Sequence, residues 1–146
     1  MKKIVIAIAL TMVLSTAGFV FAEDKYSVSG EVIYSGESNI YVCLHTMKTF
    51  ASFRKELPPP GFMQIVKADV AGKAPFSIED VPKGEYLIHI FVDENNNGKF
   101  DCDTWGYPIE PACMYKPPLI KMHTNWYDQK FEVDSDVTGL VLKLHD

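Results

Sequence analysis

The segment Asp93-Glu94-Asn95-Asn96-Asn97-Gly98-Lys99-Phe100-Asp101 places oxygen-bearing side chains at relative positions 1, 3, 5 and 9, with glycine at position 6. Calcium takes six to eight oxygen ligands, and this spacing turns alternate side chains and one backbone carbonyl, here that of Lys99, toward a common centre. Gly98 permits the sharp turn. The order follows an EF-hand loop through its first nine positions, but position 12 is Thr104, where that loop uses a bidentate glutamate. Asp103, one residue early, and Glu110, beyond Gly106-Tyr107-Pro108-Ile109, are the candidates to close the shell. The expected metal ligands are therefore Asp93, Asn95, Asn97, the Lys99 carbonyl and Asp101, completed by Asp103 or Glu110. Asp93, Glu94, Asp101 and Asp103 repel one another without a cation among them, and a large, flexible, all-oxygen set favours calcium over magnesium. The competing reading is an Asn/Asp/Gly-rich turn whose side chains bond their own backbone.

Cys102 and Cys113 bracket the turn after this loop, and Cys43 sits within an alternating segment. In an oxidising compartment a Cys102–Cys113 bridge is the economical pairing, adding ~2–3 kcal/mol to the long loop if unstrained, and Cys43 then remains a small buried thiol. Three cysteines allow three single bridges, and an all-reduced set is the rival. His45, His89 and His123 with Met47, Met114 and Met122 raise a soft copper site as a further possibility; methionines in a core and a partly exposed sheet histidine are the stronger reading. Trp105, Tyr107, Tyr115, Trp126 and Tyr127 form either a platform for sugar or peptide or, with more weight, a lid over the core. No Ser-His-Asp or Cys-His arrangement has a local signature: Ser77 and Ser135 lie in ordinary strand and turn contexts.

These residues need elements to hold them. Residues 26–34 and 40–45 alternate apolar and polar, which puts Ile40, Val42 and Leu44 on one face and Tyr41, Cys43 and His45 on the other. Residues 63–70, 74–78, 85–92, 129–133 and 138–144 share the habit, giving seven strands with Gly or Pro near most joins. Only residues 46–57 lean toward helix, and Pro58-Pro59-Pro60-Gly61 stops them. Without long helices to cover a parallel sheet, the apolar faces must bury each other, so the expected fold is all-β: one antiparallel sandwich with a long loop, residues 93–127, after a central strand. A loop of that length is functional or held by something.

The chain has 146 residues, 47% of them apolar, and a formal charge of −5 from 14 Lys+Arg against 19 Asp+Glu. That suits one domain and excludes a basic nucleic-acid binder. Lys2 and Lys3 precede an apolar run that ends Val20-Phe21-Ala22 before Glu23-Asp24, the layout of a signal peptide over residues 1–22. The alternative is an uncleaved membrane anchor. After cleavage the β-sandwich occupies residues 23–146 and has no membrane segment. Its expected location is the periplasm or the exterior, where disulfides persist.

Phe76-Ser77-Ile78-Glu79-Asp80-Val81-Pro82-Lys83-Gly84-Glu85-Tyr86, the strand after it, the acidic loop and Gly106-Tyr107-Pro108-Ile109-Glu110 resemble the DUF2141 family of exported bacterial proteins. The likeness runs from Tyr26 to Leu144. The resemblance implies a transthyretin-like or carboxypeptidase-regulatory-like sandwich and export; the family carries no assigned activity. This chain departs from the family pattern after Glu110, where Cys113, Met114, Tyr115 and Pro117-Pro118 replace a more polar, Asn-containing stretch. Transthyretin-like folds include hydroxyisourate hydrolases, but their terminal Tyr-Arg-Gly-Ser is absent here. The expected function is a calcium-stabilised binding or accessory module at the cell envelope that takes a protein or carbohydrate ligand. The alternative is a small periplasmic metal-dependent hydrolase using Asp103 and Glu110.

Overall fold

A computed structural model describes residues 23–116 and 125–144. The leader expected over residues 1–22 and the Met122-His123 pair lie outside the described residues. In chain order the elements are β1 (Lys25–Ile33), β2 (Asn39–His45), α1 (Met47–Phe50), β3 (Met63–Val66), β4 (Lys73–Pro82), β5 (Gly84–Asp93), β6 (Ala112–Met114), α2 (Trp126–Gln129), β7 (Phe131–Val133) and β8 (Val137–Lys143). They form two sheets, ordered β4-β1-β8 and β3-β2-β5-β6, with β7 paired to the start of β5. All pairings are antiparallel except β1 with β8, which is parallel.

Alternation builds the core. Val28 and Val32 of β1, Phe76 and Ile78 of β4, and Leu140 and Leu142 of β8 meet Ile40, Val42 and Leu44 of β2 and Ile88, Ile90 and Val92 of β5 between the sheets. Each such side chain contributes about 1.5–3 kcal/mol on burial. The other face of β2 and β5 is covered as well. Tyr41, Cys43, Leu87 and Phe91 pack beneath Phe53, Phe100, Met114 and Trp126. His89, expected to be partly exposed, is therefore only 1% exposed, as is His45. The expected strands 63–70 and 129–133 are shorter than the sequence pattern. Asp69 Oδ1 draws the backbone N–H groups of Ala71 and Lys73 into a turn at 2.8 and 3.0 Å, and α2 takes up the second segment's start. The helical leaning of residues 46–57 yields one capped turn: Thr46 Oγ1 accepts from the Thr49 N–H at 3.3 Å, and Thr49 Oγ1 accepts from the Thr46 N–H at 3.0 Å.

Candidate metal centre

The acidic loop begins on the last residue of β5. Asp93 is 1% exposed although it carries a carboxylate. Its Oδ1 accepts the Asn97 N–H at 3.0 Å and its Oδ2 the Gly98 N–H at 2.8 Å. Two left-handed residues make this wrap possible, Asn96 at φ 57° and Gly98 at φ 72°; Asn and Gly are the residues that tolerate that region best. Asn95 Oδ1 accepts the Asn97 N–H at 3.0 Å, and Asn97 Oδ1 accepts the Lys99 N–H at 2.8 Å. Both side-chain amides then converge on Asp101, Asn95 Nδ2 donating to Oδ2 at 2.7 Å and Asn97 Nδ2 at 2.6 Å. Asn95 and Asn97 thus meet at Asp101 while Asp93 holds the Asn97 and Gly98 amides, so the polar groups of the loop answer one another; among the described residues no three His, Cys, Asp or Glu side chains stand in position to share an ion.

The return of the chain brings Glu110 to this centre. Phe100 plugs into the outer cluster, Cys102 and Pro108 form a bridge, and Val92 N–H donates to the Pro111 carbonyl at 2.9 Å. β6 then pairs Ala112 with Phe91. Glu110 consequently sits beside the end of β5, where its Oε1 accepts the Glu94 N–H at 3.0 Å. Its Oε2 is buried with no hydrogen-bond partner. Burial pushes the Glu110 carboxyl above the usual range, against the opposing pull of backbone N–H groups at Glu94, Asp101 and Asn95; the Asp101 charge adds to the rise. Tyr41 lies on the other flank, its phenol raised by burial and then by the Asp93 charge.

Asp103, the other candidate for closure, is spent elsewhere. Its Oδ1 accepts the Trp105 and Tyr107 N–H groups, both at 2.9 Å, which makes it the anchor of its own turn. The structure holds all three cysteines as free thiols and does not join Cys102 to Cys113. Cys113 joins the core between the sheets, whereas Cys102 packs on the outer cluster, so the sheet itself stands between them. Cys43 is the fully buried thiol expected. The aromatics divide: Trp126 is part of the lid and Tyr115 packs on the core, while Trp105, Tyr107 and Tyr127 are exposed. A cavity of about 590 Å³ adjoins the loop, with Phe53, Arg54, Lys99, Asp101 and Cys102 in its wall. Among the described residues no helix is long and apolar enough to cross a membrane.

The chain matches the family described as an uncharacterized protein conserved in bacteria, DUF2141, over residues 28–140. It belongs to the DUF2141 family. The matched span runs from β1 into β8 and includes the whole acidic loop and Glu110. No curated protein matches the chain. Sequence reading of this DUF2141 protein missed β6, which lies inside the expected loop, and the burial of the pair His45 and His89. Alternation assigned His45 to the outer face of β2, but the cover over that face comes from Phe53, Phe100 and Trp126, distant in sequence and in register with nothing local.

Proposed function

We propose that this protein is an exported sandwich whose acidic loop binds calcium as a structural ion, and that it serves as a binding or accessory module at the cell envelope. The observation that carries the calcium reading is Glu110: a carboxylate oxygen, buried and without a partner, beside a loop whose oxygens are spaced for a hard cation. Leaving one oxygen of a buried carboxylate unpaired is costly, and a calcium ion among Asp93, Asn95, Asn97, the Lys99 carbonyl, Asp101 and Glu110 would offset that cost. The side-chain amides of Asn95 and Asn97 would turn their oxygens inward to do so. Export rests on the layout of residues 1–22, and the exposed Trp105 and Tyr107 next to the loop favour a protein or carbohydrate ligand.

The test is thermal melting of the mature protein in EDTA and in millimolar calcium, with elemental analysis of the native material. Calcium at one hundred times its dissociation constant adds ~2.7 kcal/mol if it binds only the folded chain, a rise of roughly 8–15 °C for a domain of this size. Identical curves and no bound metal would return the loop to a self-bonded turn. The cavity beside Asp101 supports a second reading, the small metal-dependent hydrolase; it requires an open coordination position toward that cavity and metal-dependent turnover, whereas a closed oxygen shell supports the structural ion.

A further inference from the structure

The outer face of the second sheet carries a row of soft donors that the acidic loop does not use. Cys43 of β2 pairs laterally with His89 of β5, Met63 of β3 stands beside Cys43, and Met114 of β6 stands beside His89. One transverse row therefore runs Met63, Cys43, His89, Met114, and His45 lies on the same face two residues along β2. The His45 and His89 rings are 5.9 Å apart and tilted by 40°. Nδ1 and Nε2 of His45 and Nε2 of His89 are all buried without a hydrogen-bond partner. An unpaired buried polar atom gives up the hydrogen bonds it makes in water and gains none in return. Phe100, Phe53 and Phe91 wall His89 at 4.5, 5.1 and 5.7 Å between ring centroids.

We propose that His45 and His89, with the sulfur of Cys43 as third ligand, bind a single Cu(I) ion. Neutral imidazole and sulfur donors in an apolar box select a soft ion of low charge. A divalent ion would leave more charge uncompensated there, and the Arg54 guanidinium, 5.3 Å from the Phe53 ring centroid, adds to that penalty. Both rings are 1% exposed, and burial favours the neutral imidazoles that ligate metals. Cys43 is a better third ligand than Met114 on charge balance. A copper–sulfur bond forms as the thiol proton leaves to solvent, the copper stays Cu(I), and the buried site ends neutral. Among the described residues no three His, Cys, Asp or Glu side chains already stand in position to share an ion, so loading the site requires side-chain movement at Cys43 or at the two imidazoles. The cavity of about 590 Å³ supplies the way in, since Phe53 and Phe100 of its wall contact His89.

The test is anaerobic titration of the purified protein with Cu(I) against a chromophoric Cu(I) chelator, followed by X-ray absorption. One copper per chain withheld from the chelator, with mixed nitrogen and sulfur scattering, is expected. His89→Phe and Cys43→Ser should each weaken binding by at least about tenfold, the scale that even outer-shell substitutions reach. Cys102→Ser, which removes the half-buried thiol at the cavity wall, should change nothing. Wild-type protein that yields all its copper, scattering from sulfur alone, or affinity that follows Cys102 would each overturn the proposal, and the first two hold even if a variant fails to fold.

Discussion

Glu94 and Glu110, 16 residues apart, are joined by a 3.0 Å hydrogen bond from the Glu94 amide to Glu110 Oε1. That bond staples the start of the acidic loop to the strand that returns to β5, and it commits one oxygen of Glu110 while leaving the other buried and bare. Because β5 carries Asp93 at its end and His89 within it, both candidate centres depend on the register of this one strand.

Glu110→Gln separates the two roles of that carboxylate. Glutamine keeps an acceptor for the Glu94 N–H and removes the buried charge. Wild-type Glu110 has a raised pKa when folded, so its contribution to stability is full below the ordinary carboxylate range and is lost as pH climbs through the folded value. In EDTA at neutral pH the variant is therefore expected to match or exceed wild type, within about 1 kcal/mol, while the gain from calcium disappears. Urea unfolding at several pH values reads both. A variant that is weaker in EDTA yet responds fully to calcium would remove Glu110 from the shell.

Gly30→Ala tests the parallel pairing of β1 with β8. A Cβ at Gly30 would meet the Leu140 carbonyl oxygen and approach Leu140 Cβ to 2.7 Å, a clash with a neighbouring strand rather than with a flexible tip. Moving that strand is expected to cost about 3 kcal/mol or more. Gly139→Ala is the comparison: its φ of 72° strains alanine, but nothing stands within 4 Å of the added carbon, so about 1–2 kcal/mol is expected. Equal losses for the two would mean that β8 does not lie against Gly30 as described.

The thiols give a prediction of their own. Cys43 and Cys113 are buried and burial pushes each thiol up to about 12, which suppresses the thiolate that reacts. Cys102 is half-buried and raised less strongly, the nearby Arg54 opposing the rise. One thiol per chain, mapped to Cys102, should react with a disulfide reagent under native conditions, and three in denaturant. A protein that arrives with Cys102 already joined to Cys113 would require β6 to sit in a different register.

The sequence carried the inner face of the sandwich plainly, because Ile40, Val42 and Leu44 alternate with Tyr41, Cys43 and His45, and a period of two needs no knowledge of the partner strand. The turn from Asp93 to Asp101 was equally legible, since its side-chain-to-backbone bonds act through local spacing. What stayed hidden depends on pairing at long range. β6 is only three residues long and reads as strand because β5 offers it an edge. That Glu110 lies against the start of the loop, while Asp103 anchors its own turn, follows from where that pairing returns the chain. The burial of His45 and His89 follows from the lid of Phe53, Phe100 and Trp126, which no segment of β2 or β5 announces.

That lid also sets the response to acid. His45 is depressed to about 4 and His89 well below its usual value, both chiefly by burial. The unfolded chain therefore takes up protons first, so the stability these imidazoles contribute is present above the ordinary imidazole value and is lost as pH falls toward the folded ones. At pH 5 each is expected to have cost roughly 2 kcal/mol relative to neutral pH. Glu110 works in the opposite sense, so the imidazole contribution has to be isolated by variant. Urea midpoints at pH 7 and pH 5, taken with a chelator present, should fall steeply for wild type and much less for a His45→Phe, His89→Phe double variant, whose rings suit the aromatic surroundings. If both proteins lose stability in parallel, the two imidazoles are not buried neutral beneath Phe53 and Phe100, and the outer face of the sheet is open to water.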